Sequence, residues 1–561
     1  MSNLIDGNSR FSLIPSTNFS RSKLPMGHTV KTSFNVGDLI PFDVLEVLPG
    51  DTWEIDTSFL GRLQTLLTPI MDDIYLDMYY FFVPNRLTWS HWKEFNGENT
   101  QSSWYPTVQY TVPLLSTYFG SENPHQPLVG TVLDYFGIPF QNYNKGTHCE
   151  VNALPFRAYG LIYNEWFRDQ NTQSPVLVST GDFTSSFDFN NGALGGYPFK
   201  VNKYHDYFTS CLPSPQKGPD VTIPITKETM LPVGTGFMHS KSYSDGLMFQ
   251  TVGGSLTSGY HSMALNTYEQ GNYSDLLAST ASGSGGNALQ LAPANLWASI
   301  GGENAVPVAS VNQLRLAFAT QKLYEVDARS GSRYTEILKA HFGVDSPDSR
   351  LQRPELLSYN HVDLNISQVI QNGTQTSGTT PLGHVAAMSV TGNSDSSFTK
   401  SFVEHGFIIG LCCLRYKHSY QQGLHKMWSR KTRFDYYWPV FAHIGEQPVL
   451  NKEIYASGSS TDDEVFGYQE AWAEYRYIPN RTSAFMRSGV NQSLDIWHLG
   501  DKYVSMPFLS SDWIKEDGSI IDRTLAVSSN LSHQFYCDIY VNSNVVRVMP
   551  TYSVPGLIDH M

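Results

Sequence analysis

Basic and aromatic side chains are interleaved in residues 411–434, and this pattern favours contact with single-stranded nucleic acid. Six cations and no acidic residue occur in that run, together with tyrosines and a tryptophan. Cations neutralise phosphates, while aromatic faces stack on unpaired bases of any sequence. The candidate contacts are Arg415, Lys417, Trp428, Arg430, Lys431 and Arg433. A second interpretation stays open, in which these cations pair across subunit interfaces with acids such as Asp435, Glu446 and Glu470.

Motifs that carry catalysis or bind cofactors are not found in the sequence. No Gly-Lys dipeptide is present, hence no P-loop, and no HExxH helix occurs. The acidic groups Asp72-Asp73 and 462–464 could in principle bind a cation or act as acids. Neighbouring side chains of a strand point apart, however, so solvated or interface carboxylates are the favoured interpretation. The sequence therefore predicts a protein that is not an enzyme and that has no cofactor and no metal site.

The cysteines predict neither a disulfide framework nor a zinc site. They are odd in number, include one adjacent pair and contain no CxxC spacing. The five are Cys149, Cys211, Cys412, Cys413 and Cys537. Buried free thiols in a reducing compartment are the expectation.

Composition indicates a chain with much surface to bury and little charge to keep a monomer soluble. Of the 561 residues, 41% are hydrophobic, 13% are aromatic and only 16% are charged. Aromatic residues are enriched in subunit interfaces, so part of this surface is expected to lie between copies. The net charge of −14 argues against a generic nucleic-acid-binding protein. Any nucleic-acid contact must therefore be local.

No segment is predicted to target or span a membrane. The N-terminus lacks a basic region followed by an apolar run of signal-peptide length, so export by that route is not expected. The longest apolar run, 406–414, is about half of what a membrane span requires. It predicts instead a core strand that is buried on both faces.

Strand patterns gather near the two ends of the sequence. Residues 74–83 place large apolar or aromatic side chains on nearly every position of both faces, so this strand must be covered on both sides. Residues 42–48 and 53–59 flank the turn signal 49–51 and predict a hairpin. A late strand at 535–541 can pair back with the early ones. Pairing between distant segments is typical of a jelly roll.

Helices and a long insertion are predicted between these strands. Apolar spacing predicts helices over 153–170 and 307–329, with Val308, Val311, Leu314 and Phe318 as the stripe of the second, for core or subunit packing. Residues 233–306 hold twelve glycines, eleven serines and five charged residues. We expect three regions, 1–232, 233–306 and 307–561, with the middle one a surface insertion. That this insertion is a flexible segment without a role stays an alternative.

Ordered sequence blocks give the chain a family resemblance. TLLTP, YLDMYYFFVPNRL and HWKEFNGEN occur between residues 62 and 99, and KTSFNVGDLIPFDVLEVLPGDT precedes them. Later blocks include DYFTSCLPSPQKGP, EILKAHFGVDSPDSRLQRPELL, EHGFIIGL, VFGYQEAWAEYRY and YSVPGLIDH. In this order the blocks resemble the major capsid protein of gokushoviruses, the small single-stranded DNA phages of the Microviridae.

The resemblance implies a fold and a function. The fold would be mainly β, a viral eight-stranded antiparallel jelly roll with long inserted loops that contain helices. Sixty copies would form a T=1 icosahedral shell around circular single-stranded DNA. The insertion would form a host-contacting protrusion at each threefold axis, with Met238, Phe249, Tyr260 and Tyr273 as candidate residues.

The resemblance also implies partners and a location. The partners would be an internal scaffolding protein, a minor pilot protein, a small basic DNA-binding protein and a host cell-surface receptor. The protein would reside in the virion after assembly in the cytoplasm of the bacterial host. One alternative from another class stays open, a secreted carbohydrate-binding β-sandwich, because aromatic-rich jelly rolls also bind sugars.

Overall fold

The structure is a computed structural model, and it describes most of the chain. The described residues are 20–100, 108–119, 128–140, 143–144, 146–221, 233–235, 249–251, 291–293, 296–298, 311–373 and 382–552. Two compact units are distinguished: one comprises residues 1–217 and 324–561, and the other comprises residues 218–323.

Strands dominate the described residues. In chain order they are β1 Ser22–Pro25, β2 His28–Phe34, β3 Ile40–Val47, β4 Thr52–Leu63, β5 Ile74–Pro84, β6 Leu114–Tyr118, β7 His148–Asn152, β8 Ser185–Ser186, β9 Val233–Thr235, β10 Phe249–Thr251, β11 Leu291–Pro293, β12 Leu296–Ala298, β13 Glu355–Asp363, β14 Ile366–Ile370, β15 Val385–Ser389, β16 Thr391–Ser401, β17 Gly406–Tyr416, β18 Glu446–Leu450, β19 Val465–Glu470 and β20 Phe535–Arg547.

Most of the described helices are short, and they lie in the connections between strands. They are α1 Asn85–Thr88, α2 Trp92–Phe95, α3 Val132–Tyr135, α4 Leu154–Ile162, α5 Val311–Ser330, α6 Tyr334–Phe342, α7 Asp348–Leu351, α8 Asn451–Ile454 and α9 Ser519–Asp522. A π-helical turn, Tyr163–Phe167, continues α4. None of the described helices is long and apolar enough to cross a membrane.

Nine of the described strands form two antiparallel sheets, one of five strands and one of four, with jelly-roll topology. The first sheet has the order β2-β20-β4-β16, and β1 also pairs with β20. The second has the order β3-β17-β5-β13. Strands that are distant in sequence are thus neighbours in space, as in jelly rolls. The predicted mainly β jelly roll is confirmed, and so is the pairing of the late strand β20 with the early strands.

The predicted hairpin at 42–59 is wrong. Its turn exists: Gly50 adopts φ +88°, and the Asp51 carboxylate accepts the Leu48 N–H at 2.9 Å. The two strands, however, belong to different sheets, because β3 pairs with β17 while β4 pairs with β16 and β20. The turn therefore carries the chain from one sheet to the other.

Burial on both faces of β5 and β17 is confirmed. The inner face of β5, with Tyr80 and Phe82, packs in the core between the two sheets. Its outer face, with Phe81 and Val83, packs in a second core that includes Tyr159 of α4. The outer face of the second sheet is therefore covered by helical insertions, which explains why β5 carries apolar side chains on both faces.

The two predicted helices form with shifted boundaries and different environments. The 153–170 helix is α4 with its π-helical extension, and it is largely buried. The 307–329 helix is α5, in which Val311 is 63% exposed and Phe318 is 64% exposed. Residue 308 lies outside the described residues. The role of this stripe in core or subunit packing stays a prediction.

Candidate nucleic-acid interface

The predicted basic run is divided between two environments. Arg415 lies near the end of β17, where this strand pairs with the start of β5. From Lys417 onward the chain leaves the sheet and makes only short 3₁₀ turns, Lys426–Trp428 and Arg433–Asp435. Closeness in sequence therefore does not make these candidates one continuous surface.

Arg415 is engaged inside the chain. Its Nε donates to the Asp77 carboxylate at 2.9 Å, its Nη2 donates to the Tyr79 hydroxyl at 3.0 Å, and its guanidinium lies 4.1 Å from the centre of the Tyr204 ring. Burial alone would raise the pKa of Asp77, but the charge of Arg415 and hydrogen bonds from neighbouring side chains, His361 first, hold it below its ordinary value. A buried pair of this kind positions β5 against β17, so the nucleic-acid prediction must rest on other cations.

Arg430 is engaged in the same way. It pairs with Glu474 at 3.1 Å, and the two side chains are only 8% and 3% exposed. The guanidinium also lies 4.2 Å from the centre of the Tyr475 ring. Removing one partner of such a buried pair leaves an uncompensated charge, so Arg430 serves local structure.

The acids of the interface interpretation have partners in their own chain. Asp435 accepts the backbone N–H groups of Lys431 and Thr432 at 2.8 and 2.7 Å. Glu446 pairs with Arg329, and Glu470 pairs with Arg476 at 3.0 Å. None of these three carboxylates therefore needs a cation from a neighbouring copy.

Four predicted candidates remain exposed. Lys431 and Arg433 form no ion pair with any described residue, and Arg433 lies 4.8 Å from the centre of the Phe434 ring. Trp428 is 69% exposed. Lys417 lies 5.1 Å from the centre of the Tyr75 ring, away from the other three in sequence. Three of the four, Trp428, Lys431 and Arg433, lie in one surface segment.

An exposed aromatic surface adjoins this segment, and sequence reasoning missed it. We define the aromatic surface as Phe434, Tyr436, Tyr437, Trp438 and Tyr475, whose exposed fractions range from 46% to 58%. The Tyr437 and Tyr475 rings lie 6.2 Å apart, and the Tyr475 hydroxyl accepts the Tyr437 N–H at 3.2 Å. The high density of aromatic residues directly after residue 433 is the sequence feature that indicates this surface.

The protrusion candidates are mostly beyond the described residues. Met238, Tyr260 and Tyr273 lie outside them, and Phe249 is described only as backbone in β10. The described parts of the insertion form two antiparallel ladders, in which β9 pairs with β12 and β10 pairs with β11. Residues 233–235 and 296–298 are thus hydrogen-bonded to each other.

The predicted burial of the five thiols as free cysteines is confirmed, while the reducing compartment stays a prediction. Among the described residues, no group of three or more His, Cys, Asp or Glu side chains is arranged to hold a metal ion.

Comparison with known proteins decides the family. A family model described as "Capsid protein (F protein)" matches residues 12–557, nearly the whole chain. The chain belongs to this phage capsid protein family. As a capsid protein it is a structural component of a virion, not an enzyme.

Three relatives of this capsid protein are each called capsid protein VP1. It is 41% identical to that of Bdellovibrio phage phiMH2K, with 97% of both chains covered. It is 38% identical to that of Chlamydia phage 1 and 39% identical to that of Spiroplasma virus 4, and each match covers 98% of this chain and 97% of the relative. These relatives confirm the gokushovirus resemblance.

Proposed function

We propose that this capsid protein closes into a T=1 icosahedral shell of sixty copies that encloses circular single-stranded DNA. The family and the jelly roll support a self-assembling coat subunit. The resemblance to gokushovirus coat proteins supplies the copy number and the type of genome. The alternative of a secreted carbohydrate-binding protein has no comparable support.

The aromatic surface is the observation that carries the assembly proposal. Five large aromatic side chains, each about half exposed, lie in one region beside Val440, which is 87% exposed. Soluble monomers rarely expose large contiguous apolar patches, and aromatic residues are enriched at interface cores. A second copy of the chain would remove this surface from water. Repetition of such contacts with the correct rotation closes a shell.

The basic segment beside this surface is the proposed DNA contact. Lys431 and Arg433 are exposed and free of carboxylate partners in the described chain, and the Trp428 ring is available for stacking. This combination binds single strands without sequence preference. Lys417 is a further candidate at a separate position. Arg415 and Arg430 would act indirectly, by holding the strand and the loop that present these groups.

The 233–306 insertion is the proposed protrusion. Residues 233–235 pair with residues 296–298 in the β9–β12 ladder, so the stretch between them leaves and re-enters this ladder at one place. A segment closed in this way can extend from the jelly roll without disturbing its core. Three such segments would meet at each threefold axis, where their tips would contact the host receptor.

Family resemblance supplies the remaining partners of the proposal. An internal scaffolding protein and a minor pilot protein would accompany assembly in the host cytoplasm. A small basic protein would help to neutralise the genome, which accords with the net charge of −14 on the coat chain.

Electron microscopy tests the assembly proposal. The capsid gene is expressed with the remaining phage genes, and particles are examined by negative stain. We expect isometric shells of uniform diameter from the natural chain and from Val440→Ile, which keeps the exposed apolar group. Val440→Asp should leave a folded subunit that does not assemble, because burying an unpaired carboxylate is costly. Uniform shells from Val440→Asp would show that this surface is not an interface.

A further inference from the structure

A cavity of about 530 Å³ lies beside the outer face of β5, within the larger compact unit. This volume is in the range of small-molecule binding sites. Aromatic and cationic side chains line it together, among them Tyr79, Phe167, Arg168, Tyr204 and Arg333. Neither the capsid family nor the proposed DNA segment accounts for such a cavity.

Two arginines of the cavity wall have more N–H donors than neighbouring groups that accept hydrogen bonds from them. Arg333 donates to Glu336 at 3.0 Å and to the Arg168 carbonyl at 2.8 Å, while Arg168 donates to the Gln173 carbonyl at 2.7 Å. Each guanidinium nevertheless keeps a buried Nε–H without an acceptor. Arg168 forms no ion pair with any residue that the structure describes. A buried donor without an acceptor calls for an explanation, such as a bound ion.

The electrostatics of the two arginines favour an anion. Burial lowers the pKa of Arg168, and the like charge of Arg333 lowers it further. The two acids of the wall do not supply the missing acceptor, since Glu336 is bonded to Arg333 and Asp169 accepts the Thr172 N–H at 2.8 Å. An anion with several oxygens would satisfy both guanidinium groups, as arginine does with phosphate.

We propose that this cavity binds a phosphate group through Arg168 and Arg333. The phosphate could belong to a nucleotide of the enclosed strand or be free inorganic phosphate. The aromatic wall, with Tyr79 and Phe167 at 5.1 Å between ring centres, offers apolar surface to a nucleotide base. The assignment of the phosphate to enclosed DNA rests on the proposed function. The phosphate site itself does not.

Calorimetric titration of the purified full-length chain tests the site. The probes are inorganic phosphate, thymidine 5′-monophosphate and thymidine. We expect one saturable site for each of the two phosphate-bearing probes and none for thymidine. Arg168→Gln should weaken binding at least tenfold, whereas Arg476→Gln, which removes a 61% exposed arginine elsewhere, should not change it. Tenfold tighter binding of the monophosphate would identify a nucleotide as the ligand, and equal affinity would identify free phosphate.

Two results would overturn the site. One is the lack of saturable phosphate binding by the natural chain, and the other is unchanged affinity in Arg168→Gln. If Arg168→Gln does not fold, Arg168→Lys replaces it: lysine keeps the charge but lacks the planar donor pair, so weaker binding supports the site and equal binding refutes it. Shells without phosphate binding would refute only the cavity proposal. Phosphate binding without shells would refute only the proposed assembly.

Discussion

Replacing Phe82 with alanine should remove a large part of the stability of the jelly roll. The Phe82 side chain is 5% exposed, and its ring centre lies 4.5 Å from that of Phe402. On the neighbouring strand β17, a Cβ atom on Gly406 would lie only 2.5 Å from the Phe82 ring, so the ring occupies the space that a side chain at Gly406 would need. Glycine cannot refill that space after truncation. The cost should therefore reach about 4 kcal/mol, within the range of roughly 3–5 kcal/mol for buried Phe→Ala changes.

This loss is large beside the whole stability of a domain, which is about 5–15 kcal/mol. It corresponds to roughly a thousandfold change in the folding equilibrium, at about 1.4 kcal/mol per factor of ten. Soluble yield and urea unfolding followed by tryptophan fluorescence measure it. Phe434→Ala is the matched control, because that ring is 58% exposed and its removal should change stability by about 0.5 kcal/mol or less. Equal unfolding midpoints for the two variants would refute the burial argument.

Three further predictions concern the insertion, the DNA segment and pH. Deleting residues 236–295 with a short linker keeps the β9–β12 ladder, so soluble subunits and shells should form while infectivity is lost. Replacing Lys431 and Arg433 with glutamine should yield shells with less packaged DNA, measured by sedimentation and absorbance. A hydrogen bond to Asp43 raises the pKa of His28 from 6.5 to about 9, so this contact stabilises the fold fully below pH 6.5, and its contribution is lost as the pH rises through 9. Urea midpoints at pH 6 and pH 9, compared with those of His28→Gln, measure that contribution.

A different result would contradict each of these three predictions. Insoluble aggregate from the deletion would place the insertion in the core. Unassembled subunits from the Lys431 and Arg433 double variant would indicate an interface role, and Arg430→Gln provides the comparison, because the loss of its buried pair with Glu474 should destabilise the subunit itself. An identical pH dependence in His28→Gln would exclude His28 as the titrating group, since the other histidines are common to both chains.

Sequence patterns predicted the strands better than their pairing. The side chains of β5 and β17 are apolar on both faces, and this alone required cover on both sides. The turn at 49–51 was also readable. The sequence nevertheless predicts one hairpin for its two strands, because turn residues indicate a reversal but not which sheet receives the next strand. That choice depends on β17 and β20, which are hundreds of residues away.

The candidate site was predictable only as a region. Lys431 and Arg433 are exposed, whereas Arg415 is engaged inside the chain. Arg415 is held there by the carboxylate of Asp77, which is 338 residues away in sequence. No local pattern contains that contact. The aromatic surface was visible as composition, but whether its rings face a core or solvent depends on the loop conformation between 417 and 445.

The position of β20 has a consequence for synthesis on the ribosome. This strand lies inside its sheet, with β4 on one side and β1 and β2 on the other, yet it begins only at Phe535. Until those residues have emerged, the early strands lack their central partner and the apolar faces of both sheets stay open to water. Folding of the jelly roll must therefore wait until translation is nearly finished. A chain that terminates early cannot complete the sheet, so the topology itself keeps truncated products out of the growing particle.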